Sequence, residues 1–308
     1  MHKIELLAPA GDLEKLKEVI ASGADAVYIG GEIFGTKSSI NYFSKENMIE
    51  GVKFAHERGK KVYVYVNVIP HNEDFMNLDE YLLELKECDV DAVVIGDPGV
   101  LGEVQRVLPD IEIYLSDQAN TTNYVTAKFW YNQGIKRVAL SKELSLDEIA
   151  QIRAKTPLDL ELEAFVHGEM CISYSGRCLI SNFLKGKEAK DADNLDMFKY
   201  SLVEEKRPGE YYPVYEDKGG TFLFNSKDLC MVEHIEDVIK SGLTTLKIEG
   251  RMKSKGHIST IVKIYREAID KFYEDPQNYE VNHMWLEEIK KNTHREYTTG
   301  FYLDEMKN

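Results

Sequence analysis

The chain has 308 residues, 43% of them hydrophobic and 30% charged, with a formal net charge of −15. Such a chain buries a sizeable core, and it reads as an ordinary soluble globular protein. No run approaches the ~20 apolar residues of a bilayer span, the start Met-His-Lys-Ile-Glu lacks a signal peptide's apolar region, and the acidic balance opposes diffuse polyanion binding. A cytoplasmic protein without a membrane role is therefore expected, and any nucleic acid would need a local basic patch.

The predicted elements start with a strand at Ile4–Ala8 and a helix capped by Asp12, whose Leu13, Leu16, Val19 and Ile20 form one apolar stripe. A loose repeat of helix stop and strand start follows. It runs through Gly23-Ala-Asp-Ala-Val27, Gly59-Lys-Lys-Val62, Val90-Asp-Ala-Val-Val94, Gly134-Ile-Lys-Arg-Val138 and Gly242-Leu-Thr-Thr-Leu246. Glycine suits the left-handed position that closes a helix, and the β-branched runs lack alternation, as in parallel strands covered on both faces. The remaining strands are predicted at Ala26–Gly30, Val62–Val68, Ala92–Asp97, Glu112–Ser116, Arg137–Ser141, Leu160–Val166 and Thr245–Glu249, with a capping box at Ser145 and Glu148. Eight strands alternating with helices predict an α/β fold, a (β/α)8 TIM-like barrel. The rival, a doubly wound open sheet, lacks a glycine-rich loop after its first strand.

The stretch between strands seven and eight exceeds one crossover helix, so a subdomain is expected there. The predicted division is a barrel over 1–275 carrying an inserted lid or cysteine subdomain at 172–225, then a C-terminal extension at 276–308. Lys185 to Glu216, rich in charge and glycine, is expected to form part of a mobile lid.

Barrel chemistry sits at the carboxyl ends of the strands. That rule selects Asn67, Asp97, Asp117, Gln118, Ser141, His167, Cys171, Cys178, Glu249 and Arg251, and it sends Cys88 to the opposite end as a small buried hydrophobe. The densest block is Glu163-Ala-Phe165-Val-His167-Gly168-Glu-Met-Cys171-Ile-Ser-Tyr-Ser-Gly176-Arg177-Cys178, and Cys230 follows in Ser226-Lys-Asp228-Leu-Cys230. Cys171, Cys178 and Cys230 are candidate metal ligands. An iron–sulfur cluster normally takes four cysteines, zinc on three thiolates plus His167 is the alternative, and plain packing is the third reading. His167 and Cys171 also pose a nucleophile-and-base pair. Lys247, Glu249 and Arg251 alternate along strand eight and are candidate substrate-binding residues; Arg251 suits bidentate recognition of a carboxylate or phosphate. The bland alternative is an internal salt bridge of Lys247 or Arg251 with Glu249. Glu163 is a candidate partner for Arg177 or Arg251, and Lys240 to Arg266 form a positively biased stretch.

The cysteine block together with Lys247-Ile-Glu249-Gly250-Arg251-Met-Lys253 resembles the signature of the peptidase U32 family, along nearly the whole chain from Leu6 to Asp270. The resemblance implies two competing activities. One is proteolysis of the collagenase-like kind, on a peptide substrate, with Cys171 and His167 or a metal. The other is iron–sulfur-dependent hydroxylation, best understood as formation of 5-hydroxyuridine in tRNA from prephenate, a small dicarboxylate. The second is favoured: the three thiolates would hold iron, Lys247, Glu249, Arg251 and Arg177 would bind substrate, and Gln118 and His167 would orient it. Where the family carries Asn-Arg-Gly and two further cysteines, this chain has Lys190-Asp-Ala-Asp-Asn-Leu-Asp-Met-Phe-Lys199, so the fourth ligand is missing. Many members also continue into a small β-domain expected to be absent here. These departures keep open a non-catalytic binding paralogue, a homo-oligomer, and a partner chain that supplies the missing domain.

Overall fold

The computed structural model describes residues 3–31, 34, 42–68, 70–171, 200–203, 211–217, 220–250, 253–291 and 296–303, those between 170 and 226 by backbone alone. Seven parallel strands come first: β1 (Glu5–Pro9), β2 (Ala26–Gly30), β3 (Lys61–Val66), β4 (Ala92–Ile95), β5 (Glu112–Leu115), β6 (Arg137–Ala139) and β7 (Glu161–Cys171). Then β8 (Tyr200–Val203), β9 (Tyr211–Asp217) and β10 (Gly220–Cys230) form an antiparallel ribbon, before β11 (Thr245–Ile248) and a short β12 (Glu296–Thr298). Each of β1 to β6 pairs with the next, and β11 pairs with both β7 and β1, so eight parallel strands close into a barrel.

The helices are α1 (Leu13–Ala21), α2 (Lys45–His56), α3 (Leu78–Glu87), α4 (Pro98–Val107), α5 (Tyr124–Asn132), α6 (Leu146–Lys155), α7 (Ile235–Lys240), α8 (Lys255–Glu274) and α9 (Met284–Lys290). Local chemistry sets their ends. The Asp12 carboxylate accepts from Lys15 N at 2.8 Å, and both bonds of the Ser145–Glu148 capping box are formed. Gly23, Gly59, Gly134 and Gly242 close helices with positive φ, and at the repeat that lacks a glycine Asp89 takes the same conformation at φ 57°.

Two apolar cores result. The larger lies between the outer strand faces and the helices, where Val62, Val64 and Val66 meet their neighbours. The smaller fills the barrel with Leu7, Ala26, Tyr28, Tyr63, Tyr65, Ala92, Val94 and Tyr114. Barrels usually fill this space with Val, Ile and Leu. Here tyrosines leave room for charge: Arg137, 2% exposed, lies between the rings of Tyr63 and Tyr114 and donates to Glu5 and Glu161 at 2.7 Å.

The stretch expected as an insertion contributes β8, β9 and most of β10, so the part of Lys185 to Glu216 that is described is strand; the remainder lies outside the described residues. In the C-terminal extension, Glu296–Thr298 pairs in parallel with Lys227–Leu229 of β10.

Candidate functional site

The side chains of Tyr28, Tyr65, Glu163, Phe165 and Lys247 form the floor of the barrel mouth. Lys247 is 1% exposed, and its Nζ donates to Glu163 Oε1 at 2.7 Å and to the Tyr65 hydroxyl. The ammonium also lies 4.8 to 5.0 Å from the ring centres of Tyr28, Phe165 and Tyr65. Burial pulls its pKa down, but the Glu163 carboxylate, Tyr65 and Asp117 outweigh burial and hold it above the usual lysine value. Lys247 therefore stays charged, and it does so inside the wall rather than on a surface. Glu163 extends the chain of charge downward, its second oxygen 3.7 Å from Arg137. Glu163 pairs with Lys247, so Lys247 bonds Glu163 and not Glu249 as the bland alternative had it; Arg177 and Arg251, the partners expected for Glu163, lie outside the described residues. Glu249 instead accepts from the Tyr28 hydroxyl at 2.7 Å.

The opposite rim is built by β3 to β5. Asn67, 3% exposed, follows β3 on the same inward face as Tyr65, and its Nδ2 donates to Ser116 Oγ at 3.4 Å. The Ser116 hydroxyl donates in turn to Asp117 Oδ1 at 3.3 Å. Asn67 Oδ1 then has no partner among the described residues. An unmade buried hydrogen bond costs about 1–3 kcal/mol, which marks this atom as unusual. Gln118 stands beside it across Gly96, where an added Cβ would meet Gln118 Oε1 at 3.4 Å and Asn67 Cβ at 3.9 Å. Sequence reasoning placed Asn67 at the mouth without a role and passed over Tyr65, whose only signal is its alternation with valine in Lys61–Val66.

His167 does not face this floor. Phe165 pairs with Lys247 but His167 pairs with Ile248, so β7 carries one extra residue and its inward–outward parity changes between them. The His167 ring accordingly packs against Tyr265 of α8 and against Tyr297 at 5.6 and 5.5 Å between ring centres. Burial, with His257 and Lys253 nearby, pushes it down to about 3, so it is neutral. Gly168, at φ 115°, follows with its Cα so close to Glu249 that a Cβ would meet the Glu249 carbonyl.

Cys230 is the register partner of His167, buried, with its Sγ 3.8 Å from the Tyr265 hydroxyl. Burial pushes this thiol up to about 11. Cys171 pairs with Phe224, four residues further along β7 from the Cys230 pairing, up to about 13 Å away. The Cys171 side chain, Cys178, Arg177 and Arg251 lie outside the described residues. Among the described residues no group of three or more His, Cys, Asp or Glu is placed to hold a metal ion. Cys230 and His167 are both packed in the helix layer, the other candidate ligands lie outside the described residues, and no chemical step is assigned to a metal or cluster. Of the positively biased stretch, Lys240, Lys253 and Arg266 are paired with Glu236, Glu169 and Asp25. A separate groove lined by Ser145, Asp147, Asp237 and Tyr302 lies on the barrel flank and holds none of the candidate residues.

A closed parallel barrel with a polar, charge-anchored mouth defines the class: a TIM-like α/β protein. The sequence pattern of peptidase family U32 matches residues 11–308. The chain is 38% identical over 301 residues to tRNA hydroxylation protein P1 of Bacillus subtilis, covering 97% of this chain and 71% of that one. It is also 38% identical over 344 residues to tRNA hydroxylation protein P of Escherichia coli, covering 98% and 75%. The solved structure of a U32 peptidase, 16% identical, superposes with a TM-score of 0.52 over 81% of this chain and 95% of that one, a likeness of fold. This chain belongs to peptidase family U32. No helix among the described residues is long and apolar enough to cross a membrane.

Proposed function

We propose that this chain serves in hydroxylation of an RNA base, in the first instance a uridine of tRNA, with the base held over the open end of the barrel. The observation that carries the reading is its 38% identity, over almost its entire length, to proteins named for tRNA hydroxylation in two distant bacteria. The site chemistry agrees. Replacing a ring C–H by C–OH needs an oxygen donor and removes two electrons, and the described side chains supply neither, so their part is to bind and orient. A permanently charged lysine under a tyrosine hydroxyl suits an electron-rich oxygen, whether of a base or of a small dicarboxylate co-substrate.

The peptidase reading has less support. His167 and Cys171 are four residues apart on one strand, and Cys230 beside His167 is protonated, whereas a cysteine nucleophile needs a thiolate near an exposed base. The test is complementation. The gene is expressed in a bacterium lacking its own tRNA hydroxylation proteins, and tRNA nucleosides are analysed by mass spectrometry alongside iron content of protein purified without air. Restored 5-hydroxyuridine supports the proposal; its absence, with casein cleavage by the pure protein, refutes it.

A further inference from the structure

We infer that the outer face of α5, with Lys155 of α6 beside it and Lys142 on the adjoining rim, is the surface that takes the phosphate backbone of the RNA leading to the barrel mouth. This rests on the RNA reading above and says where on the protein the RNA lies.

The first observation is one of charge. Asp and Glu make up 53 of the 308 residues, yet none occurs between Asp117 and Glu143, the longest such interval in the chain, which holds α5 and β6. The lysines here also differ in how they are held. Lys128 Nζ lies 5.6 Å and Lys155 Nζ 4.5 Å from the ring centre of Tyr124, and Lys142 Nζ lies 4.0 Å from the ring centre of Phe165 at the mouth. None of the three has a carboxylate partner among the described residues, whereas Lys240, Lys253 and Arg266 are each neutralised by one. A ring face attracts an ammonium without engaging its N–H donors, so the charge is positioned and its hydrogen bonds are kept for a ligand. Lys142 commits one donor, to the Glu169 carbonyl at 3.5 Å.

Main-chain pairing joins these lysines to one rim. Thr121 bridges Leu140, and its carbonyl accepts from Ser141 N at 3.1 Å; Tyr124 opens α5 just beyond this bridge on one segment, and Lys142 follows it on the other. An RNA chain leaving the mouth therefore meets Lys142 and then the two lysines about Tyr124. On the exposed side of α5, Phe129 is 55% exposed, a face on which a base can stack. Nearby acids are engaged: Asp159 accepts from the Tyr131 hydroxyl at 2.8 Å, and Glu148 closes its capping box with Ser145. The row of charge ends at the mouth, which favours a nucleic acid over an acidic peptide.

The experiment uses the full chain and unmodified tRNA, with affinity read by fluorescence anisotropy over a series of salt concentrations. The triple variant Lys128→Gln/Lys142→Gln/Lys155→Gln should bind about 10-fold or more weakly, and its slope of log affinity against log salt should fall by about 2. Lys53→Gln/Lys61→Gln/Lys86→Gln, an equal change of charge around α2, β3 and α3, should stay within about 2-fold of the parent. Lys128→Arg/Lys155→Arg keeps the charge and should bind as the parent does. Phe129→Ala should weaken binding about 5-fold or more with the salt slope unchanged. The inference is overturned if the first triple variant stays within about 2-fold of the parent, if the second weakens as much as the first, or if polyglutamate displaces tRNA as well as polyuridine does. Normal binding by the first triple variant, in a protein whose parent restores 5-hydroxyuridine, overturns this surface alone. A parent that neither binds tRNA nor restores the nucleoside removes the RNA reading, and the surface with it.

Discussion

Replacing Glu163 by leucine should cost more stability than replacing Lys247 by methionine, although the two form one ion pair. The side chains are 5% and 1% exposed and 2.7 Å apart. Breaking such a buried pair from one side costs about 3–5 kcal/mol, because the survivor is left as an uncompensated charge. The survivors differ here. Without Glu163 the ammonium keeps, among the described residues, the Tyr65 oxygen, three ring faces and the weaker pull of Asp117, so a loss of ~3–5 kcal/mol is expected. Without Lys247 the carboxylate still has Arg137 at 3.7 Å, and about 1–3 kcal/mol is expected. In the double variant no charge is stranded, so its stability should lie above that of Glu163→Leu alone, a coupling of roughly 1–3 kcal/mol. Urea unfolding at neutral pH, followed by circular dichroism, measures all three. A Glu163→Leu cost below about 1 kcal/mol, or a double variant as unstable as that single one, would refute the claim that Lys247 is held charged by Glu163.

Two further outcomes follow from the mouth. The folded pKa of His167, about 3, lies below the unfolded value near 6.5, so its contribution is complete above pH 6.5 and is lost as pH falls toward 3. Between pH 6.5 and 5 the parent should lose about 1–2 kcal/mol more than His167→Gln, and parallel pH–stability curves would contradict the buried neutral imidazole. Gly168→Ala should cost more than about 2 kcal/mol, from the positive φ and from the clash with the Glu249 backbone, as measured by the same unfolding assay; a loss within experimental scatter would mean that β7 and β11 do not approach as closely as described.

The barrel was legible because its local signals agree. Helix-stopping glycines, β-branched runs and caps at Asp12 and Ser145 all recur with one period, and all eight strands lie where those signals put them. The interior was not legible, since tyrosine reads as one more apolar residue in Lys61-Val-Tyr-Val-Tyr-Val66; only closure shows valine facing the helices and tyrosine the axis. Lys247 was legible as a charged residue near the end of strand eight, but its bond to Glu163 was not. Its neighbour Glu163 is distant in sequence, and pairing between strands seven and eight sets their meeting. The facing of His167 was hidden for a subtler reason: a single extra residue in β7 reverses the face it presents, and the sequence marks that spot only by Gly168.

β7 belongs to two sheets at once. Its first half is a stave of the barrel, and its second half carries β10 and, through β10, both β9 and β12. The appended ribbon is thus joined to the barrel wall by continuous backbone rather than by a slack tether. A load placed on β10 is therefore passed directly into β7, the strand whose Glu163 pairs with Lys247.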